Sequence, residues 1–169
     1  MTASTFPGTS TYDLFSRFPT GVVALAAHDG SSPQGMVASS FAVGISFDPP
    51  MVSLAVQNTS KTWPLLRSLP SLGISILADD QQELCRKLAS RSKKDARFDS
   101  VDFDVLPSGA IAIGGSMAVM EVELAQEVPA GDHTMVLLNV KDYFLNESID
   151  PIVFYKSQLT SLEQSPVLV

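Results

Sequence analysis

The sequence predicts a mainly β domain with a few short helices, its strands forming a closed or nearly closed sheet. Six or more apolar runs of strand length recur along the chain, separated by clusters of Gly, Pro, Asp and Ser. Only two or three short stretches carry helical spacing, and no G-x-G-x-x-G opens a βαβ unit. Many short strands with few helices close on themselves more readily than they stack as a doubly wound sheet.

Taken in order, residues 1–10 are polar, contain Pro and Gly, and read as a flexible arm ahead of one domain spanning 11–169. Tyr12–Phe18 reads as a short helix ended by Pro19. Gly21–Ala27 (GVVALAA) reads as a buried strand, and Asp29-Gly30 with Ser31, Ser32 and Pro33 as a turn. Gly35–Phe47 is expected to be one strand bent at Gly44, pairing with the first as a hairpin. Asp48-Pro49-Pro50 then breaks the pattern, since proline donates nothing to a ladder. Met51–Val56 resumes as a strand, and Trp63–Leu69 follows as a helix with Pro64 in its first turn. Leu72–Ala78 is the next strand. Asp80-Gln81-Gln82-Glu83 resembles a capping box with an Asp cap, starting a helix that runs to about Ala89. Ser90–Asp95 is a charged loop. Strands are expected at Phe103–Leu106, Ala110–Ile113, Ser116–Val128, Thr134–Phe144 and Pro151–Tyr155, with Gly131-Asp132 turning between the two long ones.

Composition narrows the function. The 169 residues suffice to bury a core without staples. A net charge of −7 with no basic stripe argues against nucleic acid, whose phosphates need clustered Lys and Arg. No apolar run is long enough to span a bilayer, and the N-terminus lacks the pattern of a signal peptide. The single cysteine, Cys85, permits no intramolecular disulfide and suits the cytoplasm. At 17% the charged fraction is low, as in a chain that buries surface in an oligomer. Two distant histidines and one cysteine make no zinc spacing, and no nucleophile elbow is present.

Three motifs carry possible chemistry. In Val37–Phe41 (VASSF), small residues and hydroxyls interrupt an apolar strand. They would let a flat aromatic ligand lie close; the same pattern also suits a strand packed against a helix. In Asn58–Thr62, hydroxyls and Lys61 precede a helix start, which fits either a phosphate site or a plain N-cap. In Gly131-Asp132-His133, the imidazole either meets a substrate or pairs locally with the aspartate. His28, beside a turn, is expected to face solvent.

Read together, these segments resemble the flavin reductase family of FMN-binding split β-barrels, which includes reductase components of two-component flavin monooxygenases. The matching pieces run in order from about Phe15 to Tyr155: FPTGVV at 18–23, GMVASSF at 35–41, SFDPPMV at 46–52, Asn58 with Ser60, ILA at 76–78 followed by Gln81, Arg97-Phe98, and Gly131-Asp132-His133. The resemblance implies a homodimer that uses FMN or FAD, with NADH or NADPH delivering hydride to flavin N5, and a monooxygenase component as partner. It assigns Val37, Ala38, Ser39 and Ser40 to the isoalloxazine, and Asn58, Thr59, Ser60 and Lys61 to the ribityl phosphate. Ala78, Gln81, Arg97 and Phe98 would line the rest of the flavin, and His133 would meet the nicotinamide as the catalytic group. Two positions depart from the family pattern. Val37 stands where Thr is common, and Ser75 where Asn is usual.

Overall fold

The computed structural model describes residues 10–90 and 96–162. Apart from Ser10, the arm expected over 1–10 lies outside them, as do Arg91, Lys93 and Lys94 of the charged loop. Helix α1 (Thr11–Ser16) is capped by Ser10, whose Oγ accepts from the Asp13 N–H. Its apolar residues Tyr12, Leu14 and Phe15, with Phe18 just beyond, all face solvent.

The GVVALAA run becomes β1 (Thr20–Gly21) and β2 (Val23–His28). β2 pairs with β3 (Pro33–Ala38) in the expected hairpin. Asp29 organises its turn by accepting from the Ser31 and Ser32 amides, bonds that hold its carboxyl far below the usual carboxylate range. At the end of this hairpin His28 is half-buried rather than turned to solvent, and its Nδ1 accepts from the Gly30 N–H at 3.1 Å.

Gly35–Phe47 is two strands rather than one. β3 ends at Ala38, and β4 (Ala42–Phe47) lies at the opposite edge of the same sheet. The chain breaks at Ser39–Phe41 because the Ser40 side chain takes over the pairing. Its Oγ donates to the carbonyl of Ala55 and accepts from the Ala55 N–H, both at 3.0 Å, so a hydroxyl stands in for a ladder step to β5 (Pro50–Gln57). Gly44 marks an irregularity inside β4, where the register with β5 shifts. Asp48-Pro49-Pro50 is a hairpin turn instead of an end to pairing, since Pro50 opposes Phe47.

Beyond β5 come α2 (Trp63–Leu66), β6 (Leu72–Ile76) and α3 (Gln82–Ala89). α2 stops three residues short of the expected end. The residue before α3 is Gln81 rather than Asp80, and its side chain bonds away from the helix: its Oε1 accepts from the Ala78 N–H at 2.9 Å and its Nε2 donates to the Gly114 carbonyl at 2.7 Å. A ribbon of β7 (Phe103–Val105) and β8 (Ile111–Ile113) precedes the long hairpin β9 (Ala118–Ala130) and β10 (His133–Leu145). β11 (Val153–Tyr155) joins β1 to β12 (Gln158–Thr160). β12 carries no sequence signal, because its two-residue turn places Lys156 and Ser157, not glycine, at φ of 49° and 60°.

The main sheet runs β3-β2-β6-β9-β10-β5-β4, and Ser40 ties the end of β3 back to β5. Two cores result. Val23, Leu25, Leu54, Leu72, Ile74, Val136 and Leu138 fill the first, with Trp63 and Leu66 of α2. Val22, Ala24, Ala26, Leu77, Leu88, Ile111, Ile113 and Ile152 fill the second, outside the curl. β2 contributes alternate residues to both, which explains its unbroken apolar sequence. Among the described residues, no helix is long and apolar enough to cross a membrane.

Where β6 passes beneath β8, Gly73 leaves no room for a side chain: a Cβ there would collide with the backbone carbonyl of Ile111. Next to it, Ser75 is fully buried and its Oγ accepts from the Ile113 N–H at 3.0 Å. The serine that replaces the family's asparagine therefore fastens β8 to the sheet. Gly73→Ala should destabilise the protein by about 3 kcal/mol, lowering Tm by roughly 6–12 °C in a thermal melt.

Candidate functional site

The end of β3, the loop after β5 and the start of β10 meet around a cleft of about 620 Å³. That volume lies within the roughly 300–1,000 Å³ range of small-molecule pockets. Val37, Ala38, Ser39 and Ser40 form one wall; Thr59, Ser60 and Lys61 form another; His133 and Arg97 complete it. Three segments far apart in sequence thus converge, and nine of the residues singled out above share one space.

The small residues of the first wall keep the backbone of β3 open to a flat ligand. The Ser40 hydroxyl is committed to Ala55 as donor and acceptor, which leaves Ser39 as the free hydroxyl of the pair. In the second wall the Ser60 Oγ accepts from the Trp63 N–H at 3.1 Å and so begins α2. Thr59 and Lys61 are exposed. α2 is braced from behind by Glu127, which accepts from Trp63 Nε1 at 2.7 Å and pairs with Arg67 at 2.5 Å.

Arg97 is buried at 9% exposure. Its Nε and Nη2 donate to the Ser90 carbonyl, and its Nη1 donates to the Gly35 carbonyl and the Thr62 hydroxyl, at 2.7–3.1 Å. Burial lowers its pKa from the ordinary guanidinium value. Among the described residues no carboxylate pairs with it, and it lines the cleft. At the opposite rim, His133 Nδ1 lies 2.8 Å from Asp132 Oδ1. A carboxylate only accepts, so Nδ1 carries the proton and Nε2 is the nitrogen left for a ligand. This bond and the imidazole charge hold the Asp132 carboxyl below the usual range.

Four of the singled-out residues lie outside the cleft lining. Asn58 bonds to the 131–134 turn. Ala78 is fully buried, and the Gln81 side chain ties it to Gly114. Phe98 packs edge-on to Phe103 at 5.5 Å and closely over Gly35. Conversely, Ala55, Gln57, Leu88 and Ala89 line the cleft without a sequence motif to mark them, and Met36 and Thr62 lie inside motifs that assign them no contact. Gln57 had one usable signal, being the polar end of an apolar strand; the structure sets it opposite His133.

A second cleft of about 600 Å³ shares Val37–Ser39 as a wall and is closed by Val22, Cys85, Phe154 and Leu159. Burial pushes the Cys85 thiol up, away from the reactive thiolate.

A curled, mainly β sheet closed through Ser40, with such a cleft against β3, defines a flavin reductase-like split β-barrel. Residues 15–163 match the family model described as flavin reductase like domain, and the chain belongs to that family. The actinorhodin polyketide dimerase of Streptomyces coelicolor is 31% identical over 151 residues, 89% of this chain and 84% of that protein. The reductase component of 4-hydroxyphenylacetate 3-monooxygenase from Thermus thermophilus is 30% identical over 144 residues, 85% and 89% of the two chains. The solved NADH:FAD oxidoreductase of Streptomyces globisporus C-1027, in complex with NAD and FAD fragments, superposes with a TM-score of 0.83 at 30% identity, covering 92% of each chain.

Ser40→Ala should remove both bonds across the seam. The expected outcome is a loss of about 1–2 kcal/mol in urea unfolding, with the Ala55 amide exchanging roughly tenfold faster by NMR.

Proposed function

We propose that this protein is an NAD(P)H-dependent flavin reductase that passes reduced flavin to a partner monooxygenase. The observation that carries the reading is the convergence of Val37–Ser40, Thr59–Lys61, Arg97 and His133 on one cleft. Flavin, when bound, accepts hydride at N5 from the nicotinamide and supplies the redox chemistry. The chain's own residues fit that group. The small side chains at 37–40 admit a planar ring against the strand. Lys61 and Thr59 offer a cation and a hydroxyl to a phosphate, and Arg97 adds fixed positive charge below. His133 offers Nε2 to the incoming nicotinamide, its ring fixed by Asp132. No acid/base dyad is needed, since hydride transfer between stacked rings depends on proximity and alignment.

The protein acts as a homodimer in this reading. Val43, Ile45 and Phe47 on edge strand β4 are all exposed, Phe47 at 88%, as are Tyr143, Phe144 and Leu145 at the end of β10. Apolar side chains in such number support a buried partner face. A single free cysteine and a nicotinamide donor support a cytoplasmic setting.

In one alternative, flavin stays bound and a small organic substrate is reduced. NADH oxidation followed at 340 nm, with and without added FMN, FAD or riboflavin, separates the two. Turnover that appears only with added flavin and saturates in it is the expected result; a protein that retains flavin and gains nothing from more would favour the alternative. Lys61→Ala should weaken FMN binding about ten- to a hundredfold while leaving riboflavin binding unchanged, measured by flavin fluorescence titration.

A further inference from the structure

We propose that Asn58 is a positioning residue that holds His133 at the cleft, joining the loop that lines the phosphate end to the turn that carries the imidazole. The proposal rests on the flavin reductase reading above and assigns Asn58 a role other than phosphate contact. Three bonds connect it to the turn. The Asn58 N–H donates to the Asp132 carbonyl at 3.0 Å, its Nδ2 donates to the Gly131 carbonyl at 3.2 Å, and its Oδ1 accepts from the Thr134 hydroxyl at 2.9 Å. The backbone amide and both ends of the side chain are thus directed at residues 131–134. Asn58 is absent from the cleft lining, whereas the next three residues, Thr59, Ser60 and Lys61, line it.

The turn needs such a tether. Gly131 sits at φ +64°, and a Cβ built on it would meet nothing within 4 Å, so that corner stands open beyond the Ala130–His133 pair that closes the hairpin. His133 is the first residue of β10 and the last to pair with β5, opposite Gln57. Asp132, which fixes the imidazole through Nδ1, is itself almost fully exposed. What secures the aspartate's backbone is the Asn58 N–H; what secures the residues on either side of the Asp132–His133 pair is the Asn58 side chain. Asparagine suits this task because one short side chain presents a donor and an acceptor at once.

The test combines kinetics with a readout that needs no turnover. Asn58→Ala should raise KM for NADH about tenfold, with kcat and the FMN dissociation constant changed less than about twofold. Thr134→Val, which removes one bond, should raise KM about threefold. In a His133→Ala background, Asn58→Ala should add nothing, because its effect passes through the imidazole. The chain has two histidines, so the His133 ring signal is readily assigned by NMR; it should shift and broaden in Asn58→Ala. Loss of FMN affinity larger than the change in KM for NADH, a further rise in KM in the His133→Ala background, or an unmoved ring signal would each overturn the proposal. A wild-type protein that oxidises no NADH or NADPH with any flavin would remove the functional reading instead, and the ring signal would still decide the role of Asn58.

Discussion

Strand β2 has no solvent face, and the layers of the molecule are arranged to satisfy it. Val23, Leu25 and Ala27 enter the core inside the curl, while Ala24 and Ala26, with Val22 just before the strand, enter the core outside. A strand apolar on both faces requires a layer on each. The sheet supplies the inner layer by curling until β3 reaches β5. α3, the β7–β8 ribbon and Ile152 supply the outer one. The fit is tight enough that β6 needs glycine at position 73 and a hydroxyl at position 75 to receive the ribbon. Replacing one fully buried leucine such as Leu25 by alanine in cores of this kind typically destabilises by about 2–5 kcal/mol.

The cleft is a by-product of the same curl. A continuous ladder between β3 and β5 would have left no opening; a single serine side chain joins them instead, and the barrel stays split. Arg97 fills the space behind β3 and ties three elements together: the strand through Gly35, the start of α2 through Thr62, and the end of α3 through Ser90. Burying a guanidinium is costly, and four hydrogen bonds offset much of that penalty. The charge remains, and its sign suits a phosphate-bearing ligand in a protein whose net charge is −7.

Much of this was legible in the sequence, for reasons that can be named. The apolar run GVVALAA, the two long strands and Gly131-Asp132 follow local rules of patterning and turn chemistry; the long strands and their turn appear where expected, and the run is buried but divided between β1 and β2. The ordered motifs pointed to one family, and the family match bears that out. The break at Ser39–Phe41 was not legible, since it depends on a side chain replacing a ladder step across the barrel. The role of Gln81 was hidden for a similar reason: its amide joins Ala78 to Gly114, 33 residues away from it. The turn at Lys156-Ser157 lacked the glycine that marks such turns. Local pattern fixes elements well; contacts made by one polar side chain across the fold leave no period to read.

We propose that the cleft against β3 receives the flavin. A crystal structure of the protein grown with FMN tests it most directly. The isoalloxazine is expected against residues 37–40, and the phosphate within hydrogen-bond reach of Thr59 or Lys61. Density for the flavin in the second cleft, beside Cys85 and Phe154, would contradict it.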